Sequence, residues 1–244
     1  MTDIEKLKKI VKKAKNIVFF GGAGVSTSSG IPDFRGTGGL YTDADGDDIP
    51  PELILSIDYA KNNTEKFYEY YKNNMIYPDA KPNGAHIALA KLEKAGKLSA
   101  VITQNIDGLH TEAGSKNVLE LHGSVLKNYC VNCGKAHSLE YVMQSEGVPT
   151  CELCGAKVRP DVVLYGEGLD EDTMMEAGEA IYNADVLIVG GTSLTVNPAA
   201  SFVRLYRGDH LIIINKTPTP YDCYAELIIR DPIDEVLSAI VCED

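Results

Sequence analysis

The chain has 244 residues, 44% of them hydrophobic, enough for one large α/β domain or two modest ones. Thirty-five acidic residues against 23 basic give a formal charge of −12, which argues against binding nucleic-acid phosphates and suits either a basic peptide partner or plain solubility. No apolar run reaches about 18 residues, so no membrane-spanning helix is expected, and the charged start MTDIEKLKKIVKKAKN has no signal-like apolar core; a cytoplasmic, reducing setting is the expectation.

Ile4, Leu7, Ile10 and Val11 alternate with lysines over residues 3–15, an amphipathic helical pattern. NIVFF (16–20) follows as a buried strand and runs into GGAGVSTSSG. Further apolar runs at SAVIT (99–103), ADVLIVG (184–190), HLIIIN (210–215) and AELIIR (225–230) read as strands. Helical stretches are expected at 83–96, about 171–183 and 197–207. Continuous Val/Ile/Leu strands alternating with helices predict a Rossmann-like parallel sheet covered on both faces. Residues 36–81 and 127–158 break the alternation and read as a small lobe of a helical and a cysteine-bearing module. The large part then comprises 1–35, 82–126 and 159–244. Several strands end in glycine or polar residues (GGAG, TQNID, GGTSL, INKT), which predicts a ligand site beyond their carboxyl ends.

Three constellations carry chemistry. The loop 21-GGAGVSTSSGIPDFRG-36 offers Gly22, Ala23 and Gly24 to a pyrophosphate, although Ser26 and Thr27 stand where a third glycine belongs. A tight turn explains a lone GxG as readily; Phe34 and Arg35 could cover a cofactor, or be core packing and a surface ion pair. Cys130-x-x-Cys133 and Cys151-x-x-Cys154, 17 residues apart, fit a two-knuckle zinc site. Four thiolates leave no open coordination position, so the zinc is read as structural. His137 nearby is redundant and read as a surface histidine; Cys223 and Cys242 are read as plain buried or half-buried thiols. The third constellation, TQNIDGLHTEAGSKNVLELHG, gathers Gln104, Asn105, Asp107, His110 and His122 at a strand end. Each alone is explained by an Asx turn or a core histidine; their coincidence with the other two motifs points to a site, with His110 left structural.

Taken together, GAGVSTSSGIPDFRG, TQNIDGLH, LHG, the paired CxxC motifs, RPDVVLYGE (159–167), GTSLTVNPAA (191–200) and IN (214–215) resemble the sirtuin family of NAD-dependent protein lysine deacylases. The match runs in order from about residue 16 to the end. It implies NAD contacts from Gly22, Ala23, Gly24, Thr27, Asp33, Phe34 and Arg35. It implies a ribose and nicotinamide pocket of Gln104, Asn105, Ile106, Asp107 and His122, and an adenosine end of Thr192, Ser193, Asn215 and Ile233. A substrate peptide is implied to add as a strand between Val162, Val163, Tyr165 and Gly166 on one side and Leu194 and Val196 on the other.

The implied reaction consumes NAD: the acetyl oxygen of the substrate attacks C1′ as nicotinamide leaves, and the products are lysine, nicotinamide and O-acetyl-ADP-ribose. His122 is implied as general base, Asn105 as orienting ribose and water, and Asp107 as gripping nicotinamide. Gly21 stands where many relatives have Thr, and Tyr165 where Phe is usual. Relatives that remove succinyl groups carry Tyr-x-x-Arg in the helical module; Tyr68 and Tyr71 match that spacing without the cation, which implies neutral acyl groups, acetyl first. Mono-ADP-ribosyl transfer is the nearest alternative. A dehydrogenase lacks support from the glycine pattern, and a non-catalytic zinc-ribbon module predicts no NAD consumption. A monomer acting on acyl-lysine peptides, without nucleic acid or membrane, is expected.

Overall fold

The computed structural model describes residues 1–33 and 49–241. Nine strands occur among them: β1 Ile17–Gly21, β2 Leu98–Thr103, β3 Val118–Glu120, β4 Gly123–Cys130, β5 Ala136–His137, β6 Val158–Val162, β7 Val186–Gly190, β8 His210–Ile214 and β9 Leu227–Ile229. Six form one parallel sheet in the order β3-β2-β1-β7-β8-β9. Counted within that sheet, the order is 3-2-1-4-5-6, the doubly wound dinucleotide-binding arrangement. The order in which strands are added, not their direction, reverses between β1 and β7, which pair in parallel from Ile17↔Val186 to Gly21↔Gly190.

Alternate residues of each strand face opposite layers. Ile17 and Phe19 join Leu7, Leu89, Ile188, Ile212 and Val236 under the helices Asp3–Lys13, Gly84–Lys94 and Ile233–Val241. Val18 and Phe20 join Ile102, Ile181, Leu187, Val203 and Ile213 under Glu171–Asn183 and the 3-10 helix Ala199–Leu205. Burying each such side chain contributes about 1.5–3 kcal/mol, so the sheet supplies its own core. The first helix opens on a capping box, Thr2 accepting from the Glu5 amide while Glu5 accepts from the Thr2 amide. The expected Rossmann-like sheet is present; the short strand β3 and the helix Ile233–Val241 were not anticipated.

The remaining strands form an antiparallel ribbon, β5-β4-β6. Against it packs the helix Thr64–Asn74, whose Phe67, Tyr68 and Tyr71 cluster with Val125, Val162 and Leu164. The Tyr68 hydroxyl donates to the Val158 carbonyl, and Lys72 Nζ donates to the carbonyls of Ser145 (2.5 Å) and Gly147 (3.1 Å).

Candidate active site and zinc centre

The exits of β1 and β7 meet backbone to backbone. The Gly24 amide donates to the Gly191 carbonyl at 2.8 Å, and the Gly22 amide to the Gly190 carbonyl at 3.2 Å. A Cβ on Gly24 would lie 2.8 Å from the Gly191 Cα, and one on Gly191 (φ +59°) only 2.4 Å from the Val25 nitrogen. Glycine is therefore required here by the contact between the two loops themselves. Gln104, leaving β2, ties the same point together: its Nε2 donates to Thr192 Oγ1 (3.0 Å) and the Gly21 carbonyl (3.3 Å). Asn83, capping Gly84–Lys94, holds the loop from behind by donating to the Val25 carbonyl (2.8 Å) and Ser29 Oγ (2.9 Å).

Beyond these strand ends opens a cleft of about 1330 Å³. Its polar floor is a closed network. Ser26, fully buried, donates to Asp107 Oδ2 at 2.7 Å and accepts from Asn105 Nδ2 at 3.0 Å. Asn105 Nδ2 also reaches Asp107 Oδ2 (3.3 Å), while Asp107 Oδ1 accepts from the Leu109 amide (2.9 Å). His122 sits where the chain passes from β3 into β4, its Nδ1 2.9 Å from the Gln104 carbonyl. A carbonyl only accepts, so Nδ1 carries the proton and Nε2 remains as a base. Burial pushes the His122 pKa below the usual histidine value, partly opposed by that hydrogen bond. Gly123 (φ +74°) completes the turn; a Cβ there would fall 1.9 Å from the Asp161 carbonyl oxygen.

The residues expected to contact a dinucleotide converge on this cleft: Gly22, Ala23, Gly24, Thr27, Asp33, Gln104, Asn105, Ile106, Asp107, His122, Thr192, Ser193, Asn215 and Ile233 all line it. Val162, Val163, Tyr165, Gly166 and Val196 line it as well. Phe34 and Arg35 lie outside the described residues.

The four cysteines form the second centre. Cys130 Sγ lies 3.4 Å from Cys154 Sγ, Cys133 Sγ lies 3.7 Å from Cys151 Sγ, and all four sulfurs fall within 4.8 Å of one another. Tetrahedral zinc with Zn–S near 2.3 Å needs sulfurs about 3.8 Å apart, so the donor set fits a structural zinc. His137 is not a surface residue: its side chain is 2% exposed, with Nδ1 3.4 Å from Glu152 Oε2 and its ring 4.6 Å from that of Tyr141. Cys223, expected to be buried or half-buried, is exposed, because it lies in the short 3-10 turn Asp222–Tyr224, none of whose residues is buried.

The Sir2 family model matches residues 22–198 of this sequence. The chain belongs to the Sir2 family. Within the Sir2 family it is 56% identical over 239 residues to an NAD-dependent protein deacetylase of Clostridium acetobutylicum, covering 98% of each chain. An NAD-dependent protein deacetylase of Clostridium tetani is 55% identical over 240 residues, 98% of this chain and 97% of that one. A solved Sir2 structure with a p53 peptide and NAD+ superposes with a TM-score of 0.84 at 39% identity, covering 97% of this chain and 96% of the other. The family read from the motifs and the expected fold are thus both borne out.

Three of the named site residues of this Sir2-family chain lie outside the cleft wall. Tyr68 and Tyr71 are 3% and 1% exposed, lie between the helix Thr64–Asn74 and the ribbon, and are absent from the cleft wall. Residues at i and i+3 share a helix face, and here that face is the lobe's core. Burial pushes both phenol pKa values up, away from any acid–base use. Leu194, with φ +53°, buries its side chain in the sheet's second core layer and does not line the cleft. The residue that sequence reasoning missed is Ser26, read as a displaced glycine. The available signal was a hydroxyl in a loop that must meet an Asn and an Asp from the neighbouring strand end.

Proposed function

We propose that this chain is an NAD-dependent protein lysine deacetylase, moving the acetyl group of acetyl-lysine onto ADP-ribose with release of nicotinamide. The observation that carries this reading is His122: a neutral imidazole with Nδ1 fixed by the Gln104 carbonyl, in the wall of a cleft at the sheet's switch point. The deacetylase names of the 56% and 55% identical relatives support it and favour it over mono-ADP-ribosyl transfer.

NAD is a substrate here and supplies an electrophilic C1′ with nicotinamide as leaving group. Nε2 of His122 takes a ribose hydroxyl proton, which an unprotonated imidazole does at neutral pH. Asp107, fixed by Ser26 and the Leu109 amide, presents its carboxylate to the nicotinamide amide, and Asn105 orients ribose and water. The acyl group meets Leu55, Ile76, Val125, Val162 and Leu164; Lys216, beside Asn215, is the one cationic lysine or arginine among the described residues of the cleft wall. A preference for neutral acyl groups therefore rests on this apolar wall and not on Tyr71. The four-cysteine centre holds zinc as a structural ion. The reading is of one catalytic domain, a cytoplasmic monomer without a nucleic-acid partner; the charge of −12 supports the last of these, and among the described residues no helix is long and apolar enough to cross a membrane.

Mass spectrometry of an acyl-lysine peptide panel with and without NAD tests this. Loss of acetyl, matched by nicotinamide and O-acetyl-ADP-ribose, is expected. ADP-ribose left on protein, or no NAD consumption, refutes it.

A further inference from the structure

We infer that Arg159 and Glu167 are a positioning pair that fixes the path of segment 162–166, the edge to which the substrate peptide adds. This rests on the deacetylase reading above. Arg159 lies on β6, on the strand that runs from the zinc knuckle to the cleft. Its guanidinium meets the Glu167 carboxylate as a fork, NH1 to Oε1 and NH2 to Oε2, both at 2.9 Å. NH2 also donates to the Val162 carbonyl (3.1 Å) and Nε to the Pro160 carbonyl (3.3 Å). Glu167 Oε2 in turn accepts from the Leu164 amide (2.9 Å), and the Glu167 amide donates to the Leu164 carbonyl (3.0 Å). One cation and one anion thus close a ring around residues 160–167.

The outer side of the segment is tied separately: the Tyr165 amide donates to the Leu55 carbonyl, and the Ile57 amide to the Tyr165 carbonyl, each at 3.0 Å. Val162 and Leu164 anchor it by burial in the lobe's core. Those anchors hold the segment in place without the ion pair. What the pair adds is the course of the backbone between them, where the Val163 carbonyl and the Gly166 amide have no backbone partner among the described residues. Strand addition depends on such groups being aligned to a fraction of an ångström. Both side chains are about three-quarters buried, 26% and 23% exposed, so the fork is shielded from solvent competition. A lysine cannot reproduce it, because a single ammonium has no planar pair of donors.

Steady-state kinetics with an acetyl-lysine peptide and NAD test the pair, with zinc content and Tm measured on each variant. For Glu167→Gln and Arg159→Lys the peptide KM is expected to rise about tenfold, the factor implied by losing one charged hydrogen bond. The NAD KM and kcat are expected to stay within about twofold, the signature of lost peptide binding alone. Glu167→Asp, which keeps the charge, recovers part of the loss and carries the test if Glu167→Gln fails to fold. An unchanged peptide KM overturns the inference. So does a parallel rise in both KM values with zinc loss, which marks a merely structural role. Wild-type protein that leaves acetyl-lysine intact overturns the deacetylase reading first, and is recognised before any variant is made.

Discussion

In the six-stranded sheet Ile17, Phe19, Leu187, Ile188, Ile212 and Ile213 are wholly buried, whereas the ribbon's own buried cluster is Cys130, Val142, Cys151 and Val158. Half of that small set are metal-ligand cysteines. The sheet holds itself together by apolar area spread over two layers of helices. The ribbon is too small for that and substitutes coordination bonds, with the helix Thr64–Asn74 as a lid over its inner face. His122 stands at the join of the two regions, between β3 and β4, so the role proposed for it depends on both means of stabilisation.

Removing a ligand separates the regions most sharply. Cys130→Ala is expected to release zinc and unfold the ribbon, at a cost of order 10 kcal/mol to that region, while the sheet persists. Zinc analysis with far-UV circular dichroism checks this; retained zinc and a single unchanged melting transition would refute the division. His122→Ala strikes the join itself. It is expected to lower kcat about 10²–10⁴-fold with fold and zinc unaltered, and near-normal turnover in a folded variant would remove His122 from its role. Ile188→Ala tests the sheet alone: a loss of about 2–5 kcal/mol in denaturant unfolding, with zinc retained, is expected.

Acid gives the most graded effect, spread over several pH units. Burial, followed by the neighbouring His86, pushes His110 down to about 3, and His86 is lowered chiefly by burial. A folded pKa below the unfolded value means the unfolded chain binds the extra proton. Stability is then full above the unfolded pKa near 6.5 and falls as pH drops below it, by at most about 1.4 kcal/mol per pH unit for each histidine. Replacing His110 with Phe, which removes that titration, should flatten the decline between pH 6.5 and 3 in urea unfolding; an equally steep decline would assign it elsewhere.

The sheet was legible because β1, β7 and β8 are unbroken apolar runs, the mark of strands covered on both faces. Strand β3 was not, since three residues with a glutamate carry too little pattern, and Ile233–Val241 follows Pro232 too closely to the chain's end to stand out. The zinc centre was read from spacing alone, because coordination fixes both residue type and interval. Asn105, Asp107 and His122 could be gathered by motif, but not the hydrogen bonds among them. Ser26 shows why: its partners are 79 and 81 residues away, and only the β1–β2 pairing brings them together. Tyr68 and Tyr71 show the opposite limit. With Phe67 they form, at helical spacing, an apolar face that packs into the lobe's core, a placement that motif spacing alone does not disclose.

The contact of Gly24 with Gly191 has a practical consequence for engineering. Because each glycine occupies the space the other's side chain would need, the loops after β1 and β7 behave as a matched set. Grafting one loop from a distant relative, without its counterpart, would wedge the strand ends apart and skew the cleft floor. Chimeras should therefore exchange both loops in a single step, and libraries should vary them jointly.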